Sequence, residues 1–336
     1  MPISVRIRIA AKKAILLTAL LSVFIYIGVK TSANAYSLPE AMISAQLVDE
    51  GGLPISGQKV IVGFEGSGRR GKISRTTDLQ GRVSATYGTT GRVAFQVLSE
   101  GYYGTYSFYQ FARIEPRKFP FGTNKWLPWN PEVKLLLRKI ENPVPMFARN
   151  TKKSGLQIPV IGKEVGFDLI AYDWMPPYGD GKHPDFIFTL DKRLVSQDDF
   201  DSTLTLTFPN KVDGIILIKE DRRNGSIFKL PRFAPESGYQ SKLVRYFRRS
   251  PGKPIEDSTA EDNNYIFRIR SEVVDGKLVQ AIYGKIQSDI SVYPGYHKTA
   301  AIVFTYYLNP DHTRNLEYSG KRNLFEDLPS RERVDY

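Results

Sequence analysis

From Ala41 onward, apolar and polar positions alternate with period two. MISAQLVD sets Ile43, Ala45 and Leu47 against Ser44 and Gln46, and QKVIVGFE does the same with Val60, Val62 and Phe64. KISRTT, RVSATY, RVAFQVLSE and TYSFYQFAR follow as short runs between Gly-containing turns. EVKLLLRK closes the series with Val133, Leu135 and Leu137 on one face. Half-buried strands at this spacing predict an antiparallel sandwich of seven strands.

After ENPVPMFARN the same period returns. STLTLTFP carries Leu204, Leu206 and Phe208 opposite a threonine row, and GIILIK and AAIVFTYYL read as core strands. Asn224-Gly225 and Asp275-Gly276 sit where tight hairpin turns are expected. No helix alternates with the strands, so a parallel, doubly wound sheet is not expected. One segment breaks the rule. In ESGYQSKLVRYFRRSPGKP, Leu243, Val244 and Phe247 share a helical face with Lys242, Arg245, Arg248 and Arg249 around it, which predicts a short basic amphipathic helix. The fold class expected is therefore all-β. A seven-stranded sandwich precedes a larger β-sandwich or open barrel with one short helix.

Within the first unit, Asp49-x-x-Gly-x-Pro54-Ile55-x-Gly57 and Thr77-Asp78-x-x-Gly81 flank a strand. Over residues 42–112 this resembles the carboxypeptidase regulatory-like domain, a prealbumin-like sandwich. The resemblance implies a scaffold or binding module and no peptidase activity. On its own chemistry, Asp78 is expected to brace its turn and Gly81 to supply a backbone angle other residues avoid.

Residues 1–35 read as an export leader. Arg6, Arg8, Lys12 and Lys13 precede the apolar run Ala14–Val29, and Ala33-Asn34-Ala35 gives a small-x-small cleavage pattern. The alternative is an uncleaved anchor, since Lys30 closes the run directly. The division expected is a leader (1–35), a first sandwich (36–142), a Pro-containing linker (143–150), a second β unit (151–318) and a charged tail (319–336).

The chain has 336 residues and a net charge of +12, which falls to +7 without the leader. A mild excess of this kind bears on solubility and on attraction to polyanions, not on fold. Cysteine is absent, so disulfides, thiolate metal sites and catalytic thiols are excluded. His183, His297 and His312 are the only histidines, each among turn residues, and no helix-borne zinc motif exists. No metal, cofactor or nucleic acid is expected. An exported chain without cysteine suits a bacterial periplasm, cell surface or extracellular space.

Three constellations could carry function. The first is the basic segment, with Lys242, Arg245, Arg248 and Arg249. From Phe228 to Pro254 the local net charge is +6, enough to dock anionic polysaccharide or lipid headgroups. The bland alternative is a solvated face whose Arg stems cover apolar surface. The second is YDWMPPYGDGKHPD. Asp173, Asp180 and Asp185 beside Tyr172, Trp174 and Tyr178 are what a polysaccharide hydrolase needs, two carboxylates and a stacking ring. A polar turn has the same composition. The third is the insertion RIEPRKFPFGTNKWLPWNP, where Trp126 and Trp129 either cover the core or offer an aromatic platform. Together these favour an exported binding or scaffolding protein of the envelope. The alternatives are a hydrolase using the 173–185 loop and a module that packs against another envelope protein.

Overall fold

The computed structural model describes residues 38–116, 123–151, 155–221, 224–294 and 299–334. The leader, Phe119 and Phe121 of the aromatic insertion, and His297 lie outside the described residues.

The first nine strands are β1 (Glu40–Val48), β2 (Lys59–Phe64), β3 (Lys72–Thr76), β4 (Arg82–Gly88), β5 (Arg92–Val97), β6 (Thr105–Gln110), β7 (Arg113–Glu115), β8 (Lys125–Leu127) and β9 (Glu132–Leu136). They make two sheets. One runs β4-β1-β8-β7 with β9 also on β1, and the other runs β3-β2-β5-β6. Ala41, Ile43, Ala45 and Leu47 of β1 are all buried. They share one core with Val60, Val62 and Phe64 of β2 and Val93, Phe95 and Val97 of β5. This is the face-to-face packing that period-two burial dictates.

The turns between these strands are built as their chemistry requires. Asp78 Oδ1 accepts the N–H groups of Gln80 and Arg82, and Asp49 Oδ1 accepts those of Gly51 and Leu53. Gly81 has φ +71°, and a Cβ there would lie 2.5 Å from the Leu47 carbonyl oxygen. Only glycine fits that approach.

The remaining strands are β10 (Val144–Asn150), β11 (Leu156–Gln157), β12 (Glu164–Asp168), β13 (Asp173–Trp174), β14 (Phe186–Ser196), β15 (Asp199–Thr207), β16 (Gly214–Lys219), β17 (Gly225–Ser226) and β18 (Lys242–Arg249). Then come β19 (Glu256–Asp257), β20 (Asn263–Val274), β21 (Lys277–Ile286), β22 (Ser291–Tyr293), β23 (Ala301–Val303), β24 (Thr305–Asn309) and β25 (Tyr318–Asn323). Two six-stranded sheets, β16-β20-β21-β24-β10-β25 and β13-β12-β14-β15-β18-β19, form a second sandwich. Phe167, Phe186, Phe188, Leu204 and Leu206 of one face Tyr265, Phe267, Ile282, Tyr306 and Leu308 of the other. Strand pairing is antiparallel apart from β1 with β8 and β9, and β10 with β25.

Three expectations change here. Residues 242–249 are strand β18, in register with β15 from Thr207↔Lys242 to Phe200↔Arg249, and no α-helix occurs among the described residues. The apolar triplet that mimicked a helical face is split by a buried Arg245, whose head is satisfied by Asp289. Residues 143–150 are not a spacer: Val144–Asn150 forms β10, inside a sheet between β24 and β25. The segment 319–336 is not a loose tail either. Tyr318–Asn323 forms β25, and buried Glu332 pairs with Arg149.

The two sandwiches are joined by more than the chain. Strand β17 adds to β6 at the edge of the first sandwich. Arg138 donates to the carbonyls of Phe228 and Leu230, and Arg138 and Arg232 both bind Glu50. Glu317 accepts Tyr103 Oη–H and the N–H groups of Glu141 and Asn142, and it pairs with Arg232. Burial pushes the Glu317 carboxyl up, but these donors more than offset it and hold it below the usual range. Beneath them Lys285 is buried, its Nζ 4.6 Å from the Phe228 ring centre and 5.0 Å from that of Tyr307.

Candidate ligand-binding face

The side chains singled out in the sequence take mixed places. Trp174 is buried in the second core, edge-on to Phe167 and Phe188. Tyr172 packs edge-on against Phe167 with the Arg149 guanidinium 3.3 Å above its ring, and burial pushes its hydroxyl up to about 12. Of that trio only Tyr178 is exposed. Trp126 lies against Phe111 and donates to the Thr89 carbonyl, as a lid on the first core. Trp129 is exposed, beneath the Lys125 ammonium.

The carboxylates of the 173–185 loop are occupied by the fold. Asp173 accepts the N–H groups of Trp174 and Asp180. Asp185 is buried and receives Arg270 in a two-pronged grip, plus the N–H of Leu169. Burial raises the Asp185 carboxyl, against the pull of Arg270. Asp180 is exposed. Their organiser, Asp168, carried no signal in the sequence. Its two oxygens accept the N–H groups of Ile170, Ala171, Lys182 and His183, and one also contacts Arg270. Burial pushes its pKa up, but the four N–H donors win and hold it below the usual range. These carboxylates tie a loop to the sandwich.

The basic segment is likewise neutralised. Arg245 pairs with Asp289, Arg248 with Glu256 and Arg249 with Asp198; Lys242 is exposed. The fully exposed pairs contribute little, but they remove the uniform positive field that a dock needs.

Cations without carboxylate partners stand elsewhere. Residues 59–97 hold seven Lys or Arg and two acids. Among the described residues, Lys59, Arg69, Arg70, Lys72, Arg75 and Arg92 make no ion pair, whereas Arg82 binds Glu132. Register places one row across the outer face of β3-β2-β5-β6: Lys72, Gly63, Ala94, Phe108. The next row is Ser74, Ile61, Gln96, Tyr106. At about 4.8 Å per strand, Lys72 and Phe108 stand about 14 Å apart. Gly63 and Ala94 between them leave a trough of about 510 Å³. The Arg92 guanidinium stacks 4.2 Å above the Phe108 ring at one wall, and exposed Tyr106 stands on the same strand. Glu65, one residue beyond the end of β2, is the acid closest to this face in the register.

Gly63 is the informative residue. Its φ is ordinary for a strand, and a Cβ there would meet only the Ala94 carbonyl oxygen at 3.9 Å. Neither conformation nor packing requires glycine, although glycine weakens a strand interior by about 0.5–1 kcal/mol. Such a residue marks a place where something else approaches the backbone. The signal was present in the sequence as the charge excess of residues 59–97. Only strand register shows that small residues separate the cation from the rings.

No protein-family model matches the chain, and no curated protein matches it. The prealbumin-like family assignment is thus not confirmed, although the sandwich architecture it implied is present. Among solved structures, 3-chlorocatechol 1,2-dioxygenase from Rhodococcus opacus superimposes at a TM-score of 0.24 with 10% identity, over 32% of this chain and 62% of the enzyme. The chain therefore spans less than two thirds of that protein. A DUF3823 family protein from Parabacteroides merdae gives 0.21 with 6% identity, over 84% of this chain and 100% of its own. BcpA, the major pilin subunit of Bacillus cereus, gives 0.21 with 10% identity, over 83% and 99%. Superpositions this loose carry no functional argument.

Proposed function

We propose that this chain is an exported, non-catalytic surface protein that binds an anionic glycan on the outer face of β3-β2-β5-β6. The observation that carries the reading is the trough itself. Cations lacking carboxylate partners and aromatic rings flank a floor held open by a glycine the fold does not need. A sugar ring needs an apolar face and hydrogen-bonding edges. Tyr106 and Phe108 offer the first; Gln96 and Ser74 offer the second. Lys72 and Arg92 supply attraction to an acidic substituent. Exposed Arg69 and Arg70, in the turn Gly68–Gly71 that leads into Lys72, add positive charge beside it, which suits a polymer better than a single sugar. Export rests on the leader read from the sequence.

The test is retention on immobilised polygalacturonate compared with neutral dextran. Wild type is expected to be retained on the acidic polymer alone and released by salt, because exposed charges are screened within about 10 Å at 0.1 M. Lys72→Glu with Arg92→Glu is expected to abolish retention. Gly63→Val fills the floor without changing charge, and is expected to weaken binding at least tenfold while leaving thermal stability equal or higher. Unchanged retention in both variants would dismiss the reading.

A further inference from the structure

Strand β6 carries both rings of the trough, and within its own sandwich it is an edge strand, paired with β5 alone. In an antiparallel pair, the backbone groups of alternate residues point toward the partner and away from it. The Phe108 N–H points away from β5 and reaches a side chain of the second unit. Tyr106 and Gly104, two and four residues back, turn their N–H and C=O groups the same way. The first sandwich by itself would leave this row bare, as at any open edge.

Residues 224–227 of the second unit close that edge. Asn224 Oδ1 accepts the Phe108 N–H at 3.1 Å and the Ser107 hydroxyl at 3.3 Å. Gly225 pairs with Tyr106, and the Ile227 N–H donates to the Gly104 carbonyl at 2.8 Å. The closing segment is itself held from behind. Buried Lys229 donates its ammonium to the carbonyls of Asp221 and Asn224, and Asn224 Nδ2 donates to Asp221 Oδ2 at 2.7 Å. Gly225 has φ +97°, an angle that residues with a side chain rarely adopt.

This seam bears on the trough. Phe108 stands beneath Arg92, and Tyr106 stands in the next row. Neither ring belongs to the first core, so the position of each follows from the β6 backbone that carries it. We infer that the second sandwich completes the trough: Asn224 positions the Phe108–Tyr106 wall, and ligand binding there is coupled to the seating of residues 224–227 on β6. The inference rests on the glycan reading of the trough and adds a positioning residue to it. Such coupling is reciprocal, so a ligand that needs the wall in place also tightens the seam between the sandwiches.

The test uses full-length chain and soluble oligogalacturonate. Affinity and amide hydrogen exchange are measured on wild type, on Asn224→Ala and on the double variant Lys72→Glu with Arg92→Glu, with thermal transitions to verify folding. In Asn224→Ala the Phe108 amide loses its acceptor and is expected to exchange roughly fivefold faster. Affinity is expected to fall about fivefold or more, although Lys72 and Arg92 are untouched. In wild type, saturating oligomer is expected to slow exchange at Ile227, which does not line the trough. The double variant, unable to bind, is expected to show no such protection. A clamp with only a structural role would leave Ile227 indifferent to ligand, and this measurement needs no substitution at Asn224. The two readings fail separately. Wild type that does not bind the oligomer overturns the glycan reading, and unchanged Phe108 exchange in Asn224→Ala then overturns the clamp as well. Wild type that binds, with equal affinity in Asn224→Ala or with no protection at Ile227, overturns the coupling and leaves the glycan reading standing.

Discussion

Replacing Lys285 by methionine should raise stability and flatten its dependence on alkaline pH. Lys285 sits on β21 beneath the junction of the two sandwiches, with Phe228 and Tyr307 against its ammonium and one long contact, 3.5 Å, to the Lys229 carbonyl. Arg138 and Arg232 repel it, and Glu220 and Glu317 attract it. Burial dominates and lowers its pKa from 10.5 to about 7. The unfolded chain therefore takes up a proton that the folded chain refuses between those values. Stability rises with pH across that window by up to 1.36 kcal/mol per unit, and below pH 7 the whole cost is present, about 5 kcal/mol at most. Methionine fills a similar length without a charge to desolvate. Urea unfolding followed by circular dichroism from pH 6 to 10 should show Lys285→Met ahead of wild type by several kcal/mol at pH 6, with the gap narrowing as pH rises. A gap that stays constant within about 0.5 kcal/mol, or a variant less stable than wild type throughout, would refute the reasoning. It would mean that the aromatic rings and carboxylates hold the cation at no net cost.

Two further outcomes follow from local geometry. Gly81→Ala should destabilise the first sandwich by about 1–3 kcal/mol, read as a lowered urea midpoint, because φ +71° and the Leu47 carbonyl both oppose a side chain. Asp168→Ala should cost about 3–5 kcal/mol and open the 169–185 loop to proteolysis, since it orphans four N–H groups and half-frees Arg270. Because the folded-state pKa of Asp168 is lowered, its contribution is present above the ordinary aspartate range and lost as pH falls through the folded value. Wild type should lose more stability than Asp168→Ala on acidification, and equal losses would contradict the assignment.

What the sequence settled by itself is local. Side-chain period fixed which residues of β1, β2, β5 and β15 face inward, because neighbouring side chains on a strand point to opposite sides whatever the partner strand is. Turn chemistry was legible for the same reason: Asp78 needs only the N–H groups two and four residues ahead, and Asp275-Gly276 needs only its own backbone angles. What tertiary structure decided is whatever depends on a partner far along the chain. Arg245 could be buried in a strand only because Asp289 and Tyr265 arrive to satisfy it, so a segment of helical appearance became β18. Likewise, the count of positive residues was highest near 242–249, yet Glu256, Asp198 and Asp289 fold back on three of those arginines, and no acid among the described residues pairs with Lys72 or Arg92. Charge is written in the sequence; whether it remains available to a ligand depends on which counter-charge the fold brings within reach.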